Sequence, residues 1–255
     1  MHQGMSAIRL DEDHHVHSTF SDGTTSIAEN IVVAGERGLR KLGCVDHVRR
    51  DSAYLPSYVA AVRAARSHTD IALTIGIEAK ILNDAGALDL PADITGVEVL
   101  YVADHQFPGE TGPLSPRQMR ASLADGARTA GGAVQQLVRA TAGALRTART
   151  VHVAGAEPAI VVAHLFSIVP KLGLDESCIP DSDLGELVDA MLETSAILEV
   201  SERWKCPSER VVRAAHARGV SIVASTDSHR AADIGRYNYV AALAAGMHSA
   251  AASTR

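Results

Sequence analysis

The segment His15-Val16-His17-Ser18-Thr19-Phe20-Ser21-Asp22-Gly23 sets two imidazoles and a carboxylate at the end of a stretch, Ile8–His15, that reads as a β-strand. The same juxtaposition recurs along the chain. His47 follows the run Lys41–Asp46, Glu78 follows Ile71–Ile77, and His105 follows Gly96–Ala103. His164 follows Ala159–Ala163, and Asp227 and His229 follow Val220–Ser225. A seventh run, Ala196–Val200, ends in Glu199-Val-Ser201-Glu202-Arg203 with no histidine. Nine potential metal ligands result: His15, His17, Asp22, His47, Glu78, His105, His164, Asp227 and His229. Imidazoles and carboxylates at the ends of successive strands are what a multi-metal hydrolytic site needs. A single histidine is more often structural, but independent structural histidines have no reason to gather at one end of nearly every strand.

Most of these runs are short and continuously apolar, which suits strands covered on both faces in a parallel sheet. Helical stretches separate most of them. Thr25 or Ser26 caps a helix through Arg37, with Gly38 near its end, and Pro56 sits near the start of another reaching about Ser67. Ser182 or Asp183 begins a third, with Glu186 placed for a capping box, and Pro207 starts a fourth that ends before Gly219. The alternation predicts an α/β fold with helices outside a parallel sheet, as one domain over residues 1–255. Between Ser115 and Val151 lies a longer Ala-, Arg- and Gln-rich stretch, one helix or a pair broken near Gly126, Gly131 and Gly132. It is expected either to flank and partly cover the site or simply to pack on the barrel. The tail from His248 to Arg255 is expected to fray.

The 255 residues are 46% apolar and 21% charged, with a net charge of −6, so no global attraction to nucleic acid or an anionic membrane is expected. No run of about 18 apolar residues marks a membrane span, and the N-terminus lacks an apolar stretch of signal-peptide length. Cys44, Cys178 and Cys206 form no CxxC and read as reduced thiols of a cytoplasmic protein.

The motifs HVHSTFSDG, VDH, GIE, ADH, VAH and STDSH resemble those of the PHP (polymerase and histidinol phosphatase) family, over about residues 11 to 240. The resemblance implies a distorted TIM-like barrel of seven β/α units, with a trinuclear metal centre at the C-terminal ends of the strands. It implies that His15, His17, Glu78 and Asp227 hold one cation. Glu78, His105 and His164 would hold a second, and Asp22, His47 and His229 a third. Three carboxylates set about three negative charges against about six positive ones, a surplus that favours a bridging hydroxide and an anionic substrate. On that reading, water between two cations would lose its proton near neutral pH, its pKa falling from about 15.7 to about 7, and the hydroxide would attack phosphorus in line. Glu78 would bridge, and Asp227 or His229 would assist the leaving alkoxide. Zn, Mn and Fe all accept this ligand mix.

Outside this set, His14 points away from the motif, and His68, His152, His216 and His248 fall on helix ends or loops. Asp46 and Asp104 either orient a neighbouring ligand or cap a loop. Arg203, Lys205, Arg50 and Arg230 are the candidate substrate cations, since such groups clamp phosphate. The segment Glu199 to Pro207 resembles the histidinol-phosphatase branch, with Arg203 as the phosphate clamp. Trp204, the only tryptophan, either stacks on substrate or packs under its loop. The expected activity is a phosphomonoesterase acting on a small phosphorylated metabolite, histidinol-phosphatase-like with its alcohol open. The alternatives are a phosphodiesterase or nuclease-type enzyme, against which acidic charge and few aromatics argue, and a non-catalytic or redox metal module.

Overall fold

The computed structural model describes residues 8–152 and 157–253. Seven parallel strands form one sheet in chain order: β1 (Glu12–Val16), β2 (Lys41–Val48), β3 (Ala72–Lys80), β4 (Val99–Ala103), β7 (Ala159–Val162), β8 (Ile197–Ser201) and β9 (Ile222–Ser225). A short antiparallel hairpin of β5 (Phe107–Gly109) and β6 (Gly112–Leu114) lies apart from it. The main sheet curls until its edges meet. The His17 amide donates to the Ser228 carbonyl at 2.8 Å, and Ser228 donates back to His15 at 3.3 Å. The result is a nearly closed (β/α)7 barrel.

Helices α1 (Ile27–Glu36), α2 (Leu55–Ala65), α5 (Asp181–Thr194), α6 (Glu209–Ala217) and α7 (Tyr239–Ser253) follow strands, and α3 (Pro116–Ala124) and α4 (Ala130–Arg149) follow the hairpin. Ser26 caps α1 in a full capping box with Glu29. Most of the apolar core lies between strands and helices, including Leu42, Ile75, Leu100 and Leu198 from the sheet. The barrel lumen holds a smaller cluster of Val45, Tyr101, Ala103, Val161 and Ala163. Tyr101 fills the floor under the site, its ring 4.7 Å from that of His15 and its hydroxyl donating to the His14 carbonyl. Gly43 makes this packing possible, because a Cβ there would fall 2.0 Å from the His14 carbonyl oxygen.

Several expected boundaries move. Strand one begins at Glu12, since residues 10 and 11 form a turn held by the Arg9–Asp11 ion pair. β3 runs on through Lys80, so Glu78 lies inside a strand rather than beyond one. Gly96 adopts a left-handed turn (φ +89°), and β4 starts at Val99. α5 starts at Asp181 after Pro180 with no side-chain cap; Asp181 and Asp183 supply acid to its first turn instead. α6 starts at Glu209 rather than at Pro207, with Ser208 at its N-terminal boundary and the Ser208 amide donating to Glu176. The stretch after Ser115 is a helical pair, separated at Gly126 (φ +78°). α4 packs against α5, β4 and β7 on the outer wall. The final helix continues through Ser253, where fraying was expected.

Candidate metal centre

Parallel barrels place chemistry at the C-terminal ends of their strands, because each βα loop begins there. The nine side chains meet at this end, around Glu78. Its carboxylate is buried, and its Oε1 lies 2.8 Å from Nε2 of His164 and 3.0 Å from Nε2 of His105. Its Oε2 lies 2.8 Å from Nδ1 of His47, 3.5 Å from Nε2 of His15 and 3.6 Å from Nε2 of His17. Five imidazoles thus surround one carboxylate.

Asp227 Oδ1 sits 3.0 Å from Nε2 of His17 and 4.0 Å from Nε2 of His15. At the outer side, Asp22 lies 3.3 Å from His229, 3.4 Å from His47 and 3.8 Å from His17. Three groups have mutually close donor atoms: His17, Asp22, His47 and His229; His15, His17 and Asp227; and His47, Glu78 and His105. Against the three sets that the family resemblance implies, His17 and His47 each stand between two groups. His105 and His164 share one oxygen of Glu78.

Electrostatics follow from this packing. Burial opposes a charged Glu78, but His105 and His15 hold its carboxyl well below the ordinary range. Burial likewise works against a charged His47, yet Asp22 and Glu78 outweigh it and raise its imidazole to about 10. His15 and His164 are also raised against burial, by Glu199 and Glu78 for the first and by Asp104 and Glu78 for the second. Burial pushes His17 down to about 4. Asp22 and Asp227 are held low in spite of burial, by His229 and His47 for Asp22 and by His17 and His15 for Asp227.

Buried polar atoms rarely go without a partner, since each costs about 1–3 kcal/mol. Here His15 Nε2, His17 Nδ1, Glu78 Oε2 and His164 Nδ1 are buried without a hydrogen bond. All four belong to the same cluster. Nitrogen and carboxylate oxygen donors left open at one focus are a donor set for borderline divalent cations, and the residues fit such ions.

The supports of these side chains are themselves polar and buried. Glu199 Oε1 accepts from His15 Nδ1 at 2.8 Å, and its Oε2 accepts the His164 amide at 2.5 Å. Asp13 accepts from the Thr226 amide at 2.9 Å, the Thr226 hydroxyl at 2.5 Å and the Gly235 amide at 2.9 Å, joining β1 to the loop that carries Asp227. Asp46 accepts from the amide and hydroxyl of Ser18 at 3.0 and 2.6 Å and also from the Ser21 hydroxyl, fixing the loop between His17 and Asp22. Asp104 accepts from the Ser167 hydroxyl at 3.0 Å and lies 3.6 Å from His164 Nδ1. His164 and Asp227 have positive φ, +28° and +48°, a conformation that costs side-chain-bearing residues about 1–2 kcal/mol.

The candidate substrate cations divide. Arg203 Nη1 lies 3.1 Å from Nδ1 of His229, at the centre. Lys205 lines a separate cavity behind Trp204, while Arg230 pairs with Asp233 and lines a third cavity beside Asp227. Arg50 is exposed, its amide bonded to Asp89. The cavity at the mouth, about 600 Å³, is instead lined by Arg49 and Lys80 together with Asp22, His47, Glu78 and His105. No residue of the 115–151 stretch lines it. The Trp204 indole N–H donates to Asp227 Oδ2 at 2.5 Å, and the Lys171 ammonium sits 3.7 Å from its ring centre. His14 turns away to Glu12 at 2.8 Å. Sequence reasoning passed over Asp13, Lys80 and Lys171 and placed Arg49 beside Arg50 on the site side after strand two; of the supporting acids, Glu199 was visible at the end of the run Ala196–Val200.

A parallel seven-stranded barrel with a buried histidine–carboxylate cluster at its C-terminal mouth defines a class of metal-site barrels. Residues 13–160, more than half of the chain, match the PHP domain, and the chain belongs to that family. Among solved structures it is similar to histidinol phosphate phosphatase from Lactococcus lactis subsp. lactis Il1403, crystallised with zinc, L-histidinol and phosphate. The TM-score is 0.67 at 17% identity, covering 92% of this chain and 91% of that one. No curated protein matches the chain. Among the described residues, no helix is long and apolar enough to cross a membrane.

Proposed function

We propose that this PHP-family chain is a metal-dependent phosphomonoesterase that releases inorganic phosphate from a small phosphorylated metabolite. The observation that carries the reading is the buried Glu78 carboxylate ringed by five imidazoles, with open donor atoms around it. His15, His17, Glu78 and Asp227, then Glu78, His105 and His164, then Asp22, His47 and His229 would hold three divalent cations, of Zn, Mn or Fe. When bound, these supply Lewis-acid charge and a water deprotonated near neutral pH.

The chain's own groups do the rest. Glu78 is positioned to serve two neighbouring cations, because imidazoles approach both of its oxygens. Arg203 lies beside His229 and lines the cavity it shares with Asp227 and Arg230, where its guanidinium would hold phosphoryl oxygens and balance charge gathered during displacement. Trp204 and Lys171 cover the Asp227 side and limit water there. His229, partly exposed, and the buried Asp227 beside it would assist the departing alkoxide. The relative that binds histidinol and phosphate supports a phosphate ester as substrate, with the alcohol open at this identity.

The test is turnover of p-nitrophenyl phosphate against bis(p-nitrophenyl) phosphate by protein reconstituted with Zn, Mn or Fe. Faster monoester hydrolysis is expected; faster diester hydrolysis would replace this reading with a phosphodiesterase, and no hydrolysis of either would remove it.

A further inference from the structure

The mouth cavity carries two cations that pair with no acid among the described residues. Lys80 stands two residues beyond Glu78 on β3, so both side chains project from the same face of the strand. Its ammonium contacts only the Gln106 side-chain oxygen, at 3.3 Å. Arg49 lines the same cavity, where its backbone amide is bonded to Ser52 at 2.9 Å. Neither forms an ion pair with any described residue. Three acids line the cavity. Asp22 and Glu78 belong to the histidine cluster, and Asp89 accepts the Arg50 amide at 2.9 Å.

A lysine half withdrawn from water loses hydration, and the loss is recovered when an anion takes the open donor positions. An ammonium placed there would meet two like charges. The cavity is about 600 Å³, room for more than a phosphoryl group. We infer that the alcohol half of the substrate carries a second anionic group, a carboxylate or another phosphate, received by Lys80 and Arg49 in the cavity between His47 and Gln106. This inference rests on the phosphomonoesterase reading above. It assigns Lys80 and Arg49 as specificity-determining residues, and it separates this chain's substrate from amino alcohols.

Steady-state hydrolysis of four esters tests it with the metal-reconstituted full chain: 3-phosphoglycerate, 1,3-propanediol bisphosphate, glycerol 3-phosphate and O-phosphoethanolamine. Either acidic ester is expected to exceed the other two in kcat/KM, and the ratio between the acidic pair tells a carboxylate from a second phosphate. Lys80→Gln is expected to cut the preference for the acidic ester over glycerol 3-phosphate about tenfold, mostly through KM, as loss of one charge-assisted hydrogen bond does. Lys80→Arg should restore most of it. Arg49→Gln, on an exposed loop, should act in the same direction and serves if the Lys80 variant misfolds. Preferred turnover of O-phosphoethanolamine, or an acidic preference untouched by both glutamine variants, would overturn the proposal. Turnover of p-nitrophenyl phosphate with no charge preference among the four would overturn this proposal alone; absence of turnover on every monoester would take the phosphomonoesterase reading down with it.

Discussion

Glu199 Oε1 lies 2.8 Å from Nδ1 of His15, on a carboxylate with no exposure to solvent. A carboxylate accepts there, so Nδ1 keeps its hydrogen and Nε2 is the ring nitrogen that faces the centre, where it has no hydrogen-bond partner. Since Glu199 Oε2 also takes the His164 amide at 2.5 Å, one buried acid orients two candidate ligands, one on β1 and one just after β7. Glu199→Gln retains the shape but loses the charge. It is expected to weaken metal binding about 10- to 100-fold, as removal of such outer partners does. Titration of the metal-free protein with Zn checks this; an unchanged affinity would show that Glu199 is only a packing residue.

Asp13 bears on the frame of the site rather than its chemistry. Its two oxygens receive three donors from the loop after β9, which closes the barrel and carries Asp227. Asp13→Ala leaves those donors buried and unpaired, and is expected to cost about 3 kcal/mol of stability. Equilibrium urea unfolding of metal-free protein measures it. A loss within about 0.5 kcal/mol, as for an ordinary surface change, would mean the loop is held by other contacts.

Protonation should compete with cations at His47. Against burial, Asp22 and Glu78 raise its imidazole from 6.5 to about 10 in the metal-free protein. The sign follows from linkage: a folded-state pKa above the unfolded one gives stability fully present below about pH 6.5 and lost as pH rises through about 10. The same proton must leave before His47 can hold a metal, so affinity is expected to grow with pH across that window and binding to release protons. Calorimetric Zn titration in two buffers of different ionisation enthalpy reads the proton release. Zero release between pH 7 and 9 would contradict the assignment.

Arg203 is exposed, yet its guanidinium lies 3.1 Å from His229. Arg203→Ala is expected to raise KM for phosphate monoesters about tenfold or more while leaving metal content intact, the signature of a lost substrate contact rather than a lost ligand. Parent-like KM and kcat would exclude it as a clamp.

The strand pattern was legible because parallel barrel strands are buried on both faces and so stand out as apolar runs between capped helices. The nine candidate ligands were legible because they lie near the C-terminal ends of the strands or in the loops that follow. What escaped reading depends on distance in space. Glu199 is 184 residues from His15, and Asp13 is more than 200 from Thr226, so no local pattern joins them. The placement of Lys80 depended on β3 running three residues beyond its last aliphatic, which the composition of Glu78-Ala79-Lys80 does not signal. The hairpin of β5 and β6 was missed because three-residue strands containing Pro108 and Pro113 carry no alternation. Arg50 looked equivalent to Arg49 by position after a strand, yet Arg49 lines the mouth cavity and Arg50 does not, while Lys205 lines a separate cavity with Trp204.

The central claim is that nine side chains from six strand ends hold cations together. Elemental analysis of reconstituted, exhaustively desalted protein tests it most directly, with His17→Ala and Glu78→Ala alongside. Two to three equivalents of Zn, Mn or Fe per chain are expected in the parent, with a loss of at least one equivalent and of phosphatase turnover in each variant. A parent that retains no metal under any of the three reconstitutions, or variants that keep the parent's metal content and turnover, would contradict the account.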